Sequence, residues 1–187
     1  IDPFLCAHGA KLVNAGYHPT RKAEELTLIP KERYRLMDKH FADLGTFGLR
    51  MMRASASTQV SIDYTSEADA VRKMRIASAL APVLGAIADN VAVYEREVGA
   101  YPLVRLAVWR NVDDDRCGVV PDVFKPGFGF GAYADWLLST SPIFINAKQP
   151  DGTTVEQAES TRSAGEIYKN TAMTKADICL LYTSDAA

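Results

Sequence analysis

Residues 51–64 read MMRASASTQVSIDY, and their polarity alternates with a period of two. Successive side chains of a β-strand point to opposite faces of its sheet, so alternate positions share a face. One set is polar: Arg53, Ser55, Ser57, Gln59, Ser61 and Asp63. The other set, from Ala54 to Ile62, is mostly small or apolar. The stretch therefore predicts a strand with one polar face.

The chemistry of this polar face leaves two interpretations open. A purely structural strand usually turns long charged or threonine-rich side chains to solvent, whereas this one offers hydroxyls, one amide and one guanidinium. Such a face suits a surface on which a polar ligand lies. Half-exposed antiparallel strands with a solvated polar face are nonetheless common.

A long helix is predicted directly after this strand. Ser66 opens the sequence Ser-Glu-Ala-Asp, which is close to a capping box, and helical periodicity continues to about Asn90. Because a proline inside a helix removes one amide donor, Pro82 predicts a kink. The positions expected to face a sheet are Val71, Met74, Leu80, Leu84 and Ile87.

Two shorter helices are predicted before the strand. Residues 4–15 read as a helix that ends at Gly16, a residue type that readily takes a left-handed cap conformation. Pro30 suits the first turn of the second helix, which Gly45 should end. The apolar stripe of that helix comprises Tyr34, Met37, Phe41 and Leu44.

The rest of the chain mixes short elements. Residues 103–109 fit either a strand or a short helix, and residues 111–118 read as a polar turn region. Residues 128–138 suggest a glycine-rich turn that leads into a helix, residues 142–145 a brief buried strand, and residues 149–154 a surface loop. Since no repeat or Gly/Ser linker divides the chain, one domain is expected.

Arg105 and Trp109 form a candidate binding pair. If their segment is helical, the spacing of four residues puts the guanidinium and the indole on one face, which suits holding a carboxylate against an apolar wall. In the ordinary alternative Trp109 belongs to the core and Arg105 snorkels beside it. Spacing alone does not separate the two.

Other reactive groups give weaker signals. The carboxylates of Asp113, Asp114 and Asp115 are oxygen ligands in principle, but such a run in a turn is more often solvated. The three histidines are far apart in sequence, which does not suit a metal site. Cys117 is expected to be a buried, inert thiol. The GFGFG sequence at residues 127–131 lacks the lysine of a phosphate-binding loop.

The composition bounds the class of protein. The 187 residues carry 21 basic and 23 acidic side chains, a balance without the basic footprint of nucleic-acid binding. Three widely spaced cysteines argue against a disulfide framework and favour a reducing cytoplasm. The apolar stretch at residues 77–88 is too short to cross a membrane. We expect a soluble domain that is cut at both ends, with a non-native tail at residues 180–187 (LLYTSDAA).

Four segments occur in an order typical of one enzyme family: MMRASASTQVSIDY, SEADAVRKMRIASALAP, RLAVWRNVDDDRCGVVP and FGFGAYADWLL. Together they resemble the bacterial and plant type of glutamate-cysteine ligase, including the ligase half of bifunctional glutathione-synthesising proteins. The resemblance covers most of residues 16–178. It implies that residues 1–179 are part of the catalytic domain of such a ligase.

The resemblance also implies a reaction and a fold. The family joins L-cysteine to the side-chain carboxylate of L-glutamate in the first step of glutathione synthesis, using ATP and Mg²⁺. Its fold is α+β, so this chain would carry part of a glutamine-synthetase-like antiparallel sheet with packed helices. The magnesium ligands, and much of the nucleotide site, would lie outside this chain.

Substrate-binding positions follow from the resemblance residue by residue. They are Arg53, Ser55, Ser57, Gln59, Arg105, Trp109 and Arg116. Some family members carry the strand arginine one residue later, where this chain has Ala54. Since that shift would turn the side chain to the other face, Arg53 departs from the pattern. No catalytic residue and no metal ligand is assigned within the chain.

Two other functions remain open. The first is a non-catalytic module that keeps the ligase fold and binds or senses substrate without turnover. The second is a carboxylate-amine ligase that uses an amine acceptor other than cysteine, since an acceptor pocket can change while the glutamate-activating half is kept. Turnover with different amines separates the three functions.

Overall fold

The computed structural model describes residues 2–45, 47–99, 102–148, 151–159 and 161–170. Helices dominate these ranges: α1 Asp2–Ala7, α2 Glu32–Leu44, α3 Glu67–Ile87, α4 Val104–Arg110, α5 Phe130–Ser139 and α6 Ala164–Asn170. A 3₁₀ turn spans Ala23–Glu25, and a π-helical turn spans Arg50–Ala54. The tail at residues 180–187 lies outside the described ranges.

The described strands form two antiparallel hairpins. Strands β1 Val93–Tyr94 and β2 Glu97–Val98 make the first, with Tyr94 opposite Glu97. Strands β3 Phe144–Lys148 and β4 Thr154–Ala158 make the second, with Phe144 opposite Ala158. The chain thus mixes helices with antiparallel strands, while a larger glutamine-synthetase-like sheet stays a prediction.

The strand predicted over residues 51–64 is wrong for this structure. Residues 50–54 wind into the π-helical turn, and Ser55 makes a single bridge with Tyr17. Residues 56–64 are exposed and have no regular secondary structure. Alternation favours a strand only where a neighbour takes its backbone hydrogen bonds. Within the described part of the chain, that pairing stops just after Ser55.

Helix α3 begins where the sequence predicts. The Ser66 hydroxyl accepts a hydrogen bond from the Asp69 amide at 3.2 Å. The helix continues through Pro82 to Ile87. The predicted apolar face is wrong over its second half, where no described strand covers Leu80, Leu84 and Ile87, which are 44%, 54% and 77% exposed. Val71 and Met74 in its first half are half-buried. The cap and the local sequence, rather than burial, therefore define this helix.

The Ser66→Ala variant should lose roughly 1 kcal/mol in free energy of unfolding, because the Asp69 amide loses its cap acceptor. Urea denaturation monitored by circular dichroism measures this change. Ser57→Ala is the matched control, since Ser57 is exposed and lies outside any helix or strand. Equal stability of both variants would contradict a capping role for Ser66.

The two N-terminal helices differ from their predicted extents. Gly45 ends α2 with φ +65°, as predicted, and Phe41 of its stripe is buried, whereas Leu44 is 47% exposed. Pro30 lies outside α2, before the N-cap Lys31. Helix α1 ends at Ala7, not near Gly16, because Gly9 takes the left-handed cap conformation with φ +70°.

The later segments mostly follow the sequence. Residues 104–110 form helix α4, which settles the choice between strand and helix, and the glycine-rich turn leads into α5 as predicted. Strand β3 begins at Phe144, so Pro142 lies outside it. Of the predicted loop at residues 149–154, the first two residues lie outside the described ranges and Thr154 begins β4.

A small core fixes the orientation of α4. The buried cluster comprises Tyr17, Ala23, Ala54, Tyr94, Val104 and Val108. Val104 and Val108 lie four residues apart on α4 and are 2% and 1% exposed, so they define its inner face. This packing holds α4 against the π-helical turn and against the segment around Tyr17. We call residues 55–64, which follow this turn, the polar segment. Arg105 is thereby placed beside the start of this segment.

Candidate functional site

Arg105 is half-buried and has no acidic partner among the described residues. Its Nη1 donates a hydrogen bond to the Gly16 carbonyl at 2.9 Å. Burial without a compensating carboxylate lowers the pKa of its guanidinium. An arginine in this state keeps an uncompensated charge and further N–H donors, which suits a carboxylate or phosphate ligand.

Arg105 lies next to the start of the polar segment. The Gly16 carbonyl that binds its guanidinium also accepts a hydrogen bond from the Ala56 amide at 3.0 Å. One oxygen therefore joins Arg105 to the backbone between Ser55 and Ser57. Gly16, Arg105 and this 55–57 segment form a candidate site for an anion, which we call the anion site.

Gly16 has no room for a side chain. A Cβ atom there would lie 2.3 Å from Asn90 Oδ1 and 2.8 Å from Arg105 Cδ. The sequence predicts Gly16 only as a helix cap, so its role in this close contact was missed. The closeness of Asn90 to Gly16 was missed too. No sequence signal points to either contact, because each joins segments that are far apart in the chain.

Trp109 follows Arg105 by one helical turn. Trp109 is 41% exposed, so the alternative in which it belongs to the core is wrong. The spacing of four residues on a helix places the indole and the guanidinium on neighbouring positions of one face. Trp109 is thus available as an apolar wall beside the anion site.

The other residues predicted on the polar face have different surroundings. Arg53 donates from Nε to Asp38 Oδ1 at 2.7 Å and from Nη1 to the Leu26 carbonyl at 3.1 Å. The Ser55 hydroxyl donates to the Met51 carbonyl at 2.6 Å. Ser57 and Gln59 are exposed. Arg53 is therefore already paired with an acid, and its substrate-binding role stays a prediction.

Arg116 belongs to a second, separate network. Its Nη1 donates to the Asp113 carboxylate and its Nη2 to the Ser141 carbonyl. Asp113 is only 8% exposed and also accepts hydrogen bonds from the Asp115 amide at 3.0 Å and from His40 Nε2 at 3.4 Å. The predicted solvated run is therefore wrong at its first member. The next two aspartates are exposed.

The charge on Asp113 is stabilised by its partners. Burial by itself would raise the pKa of the Asp113 carboxyl, but the Arg116 charge and the hydrogen bonds around the carboxylate outweigh it and lower the pKa. A carboxyl whose pKa is lowered on folding stabilises the folded state above its unfolded pKa. That contribution is lost as the pH falls through the folded pKa.

The stability difference between wild type and Asp113→Asn should therefore depend on pH. We expect it to be largest above about pH 5 and to shrink as the pH falls below about 4. Urea titrations across this range measure it. Asp114→Asn is the control, because Asp114 is exposed and its removal should give a small difference. A difference for Asp113→Asn that stays constant from neutral to acid pH would contradict this account.

Two weaker sequence signals resolve as expected. Burial raises the pKa of the Cys117 thiol, which supports the prediction of an inert cysteine. In the GFGFG sequence, Phe128 is buried, and the amide of Phe130 donates to Glu67 Oε1 at 2.7 Å. The Glu67 carboxylate thus accepts the hydrogen bond of the first amide of α5, which agrees with a packing role for this loop.

Among the described residues, no group of three or more histidine, cysteine, aspartate or glutamate side chains could hold a metal ion. The described ranges therefore contain no acidic cluster of the kind that holds magnesium.

The described helices include none that is long and apolar enough to cross a membrane.

The described chain has mixed α and β structure, and its half-buried arginine beside a polar segment is a candidate point of contact for an anion. Comparison with known proteins makes the class specific. The chain belongs to glutamate-cysteine ligase family 2 (GCS2), whose sequence profile matches residues 3–166. This confirms the family that the sequence motifs indicate.

The curated relatives carry the same family name. The chain is 33% identical over 141 residues to the chloroplastic glutamate--cysteine ligase of Medicago truncatula. This match covers 75% of the chain and 28% of the relative. It is 34% identical over 140 residues to that of Arabidopsis thaliana, with 75% and 27% covered. The match in Brassica juncea is 34% over 147 residues, with 78% and 29% covered. The chain thus spans less than a third of these relatives.

Proposed function

We propose that this chain contributes to an ATP-dependent ligase that joins L-glutamate to L-cysteine in the first step of glutathione synthesis. Two findings support the proposal. The chain belongs to glutamate-cysteine ligase family 2, and its relatives are named for this reaction. The single structural observation that carries it is Arg105, a half-buried guanidinium without an acidic partner among the described residues.

The reaction requires anionic groups to be held together. ATP transfers its γ-phosphoryl group to the γ-carboxylate of glutamate, which gives an acyl phosphate and ADP. The cysteine amine then attacks the acyl carbon, phosphate leaves, and the amine loses a proton. When bound, Mg²⁺ supplies charge compensation for the phosphates. Arg105 contributes in this chain by binding a substrate carboxylate or phosphate.

The remaining predicted residues have supporting roles in this proposal. Ser57 and Gln59, which are exposed, offer a hydroxyl and an amide to the substrate, and Ser55 orients the backbone next to the Gly16 contact. Trp109 provides an apolar wall. Arg53 and Arg116 each bind an aspartate, so they supply directed N–H donors rather than free charge.

A ligase with another amine acceptor is the main alternative. The family name and the names of the relatives favour cysteine, and no contact among the described residues distinguishes cysteine from another amine. The non-catalytic module is the second alternative, because the described residues also show no catalytic group.

We propose the cytoplasm as the location, although the relatives are named as chloroplastic proteins.

An acceptor panel tests the proposal. The protein expressed from its complete coding sequence is supplied with glutamate, ATP and Mg²⁺, together with cysteine, 2-aminobutyrate, alanine or glycine. ADP and the γ-glutamyl product are measured together. We expect the highest kcat/KM with cysteine. A preference for another amine would establish the other ligase, and glutamate binding without ADP formation would establish the non-catalytic module.

A further inference from the structure

The network around Asp113 joins three separate parts of the fold. His40 comes from α2, Arg116 follows Asp113 in the turn after α4, and Ser141 precedes β3. The His40 contact spans 73 positions of sequence, and the Ser141 contact spans 25. Asp113 is the buried member at the centre, and its side chain is 5% exposed.

This network fixes both ends of the Arg116 guanidinium. One terminal nitrogen donates to the Asp113 carboxylate and the other to the Ser141 carbonyl. A guanidinium has five N–H donors in a rigid plane, so fixing two of them also fixes the direction of the others. The Arg116 side chain is 20% exposed, and part of it therefore reaches solvent.

A guanidinium held in this way binds an anion differently from Arg105. The Asp113 charge neutralises that of Arg116, so this arginine adds little net attraction. It offers instead N–H donors that are already aligned, which saves the ordering cost that a free arginine side chain bears on binding. Arg105 would supply the charge and Arg116 the direction.

We propose that Asp113 is a positioning residue for substrate binding, which acts by holding the Arg116 guanidinium in the orientation that binds glutamate. His40 supports it from α2, through the 3.4 Å contact with the same carboxylate oxygen that pairs with Arg116. This inference rests on the proposed function, because that function makes Arg116 a substrate-binding residue.

The test is a double-mutant cycle on glutamate affinity. Asp113→Asn, Arg116→Ala and the double variant are compared with wild type by calorimetry, using the protein from its complete coding sequence. Asp113→Asn should raise the Kd for glutamate roughly tenfold. In the Arg116→Ala background the same change should alter the Kd by less than about twofold, since nothing remains to be positioned.

A structural role alone would not give this coupling. An equal change in Kd in both backgrounds, or no change in either, would overturn the inference. Asp114→Asn is the matched control and should leave the Kd unchanged. If Asp113→Asn fails to fold, His40→Gln replaces it, with an expected rise of about threefold that disappears in the Arg116→Ala background.

The proposed ligase activity is measured separately, on the same wild-type preparation. Wild type that binds glutamate without turnover overturns the ligase proposal and leaves the inference on Asp113 to be judged by the cycle. Wild type that does not bind glutamate overturns the inference, whatever reaction the protein catalyses. The two failures are therefore distinguishable.

Discussion

The Arg105→Ala variant is expected to lose roughly 100-fold in kcat/KM for glutamate, which corresponds to about 2.7 kcal/mol of lost transition-state binding. The reason is the state of this side chain in the fold. Among the described residues, its half-buried guanidinium binds the Gly16 carbonyl and has no acidic partner. Steady-state kinetics of γ-glutamylcysteine formation measure the loss.

Two further variants make this result specific. Arg110→Ala removes an exposed guanidinium from the last position of the same helix and should change kcat/KM by less than about twofold. Arg105→Lys keeps the charge but loses the planar fork, so it should fall between wild type and Arg105→Ala. Melting temperatures of all three variants report whether the fold is intact. Full activity of a folded Arg105→Ala protein would refute the anion site.

The Gly48→Ala variant should have the largest effect on stability, a loss of roughly 3 kcal/mol in free energy of unfolding. A Cβ atom at Gly48 would lie 2.3 Å from both Cγ and Cδ1 of Phe41, and 2.6 Å from its Cβ. Phe41 is 3% exposed and comes from α2, so its ring has little space in which to move. Urea denaturation measures the change.

Gly131→Ala provides the matched control. Gly131 lies within α5, and no heavy atom is within 4 Å of the position that its Cβ would occupy. Alanine should therefore stabilise this helix by roughly 0.5–1 kcal/mol. Opposite signs for the two alanine variants would support the packing described around Phe41. A Gly48→Ala protein as stable as wild type would show that this packing is wrong.

The features that the sequence predicted well depend on a few neighbouring residues. Ser66 caps α3 through an amide three positions away, and Gly45 ends α2 through its own backbone conformation. The turn before α5 likewise uses glycines inside a single short segment. Such signals are local, so they can be interpreted without knowing what else lies nearby.

The features that the sequence did not predict depend on contacts between distant segments. The period-two pattern of residues 51–64 indicates a strand, but a strand also requires a pairing partner, and residues 56–64 have none in the described sheets. Asp113 is buried because Arg116 neutralises its charge and because His40, which lies 73 positions away, also contacts its carboxylate. Residue spacing carries no information on such contacts.

At the candidate site, too, the contacts between distant segments could not be predicted from the sequence. The sequence motifs indicate the family, which is confirmed. The seven substrate-binding positions that the resemblance implies stay predictions. The difference between Arg105, which has no acidic partner among the described residues, and Arg116, which is paired with Asp113, appears only in the fold. The close contact of Gly16 with Arg105 also arises from tertiary packing.

Formation of γ-glutamylcysteine is the most direct test of the ligase assignment. The protein from its complete coding sequence is incubated with glutamate, cysteine and Mg²⁺, with and without ATP, and the dipeptide is identified by mass spectrometry. Our account predicts one γ-linked dipeptide for each ADP formed, and none when ATP or cysteine is omitted. A folded protein that binds glutamate and ATP but forms no γ-glutamylcysteine would contradict it.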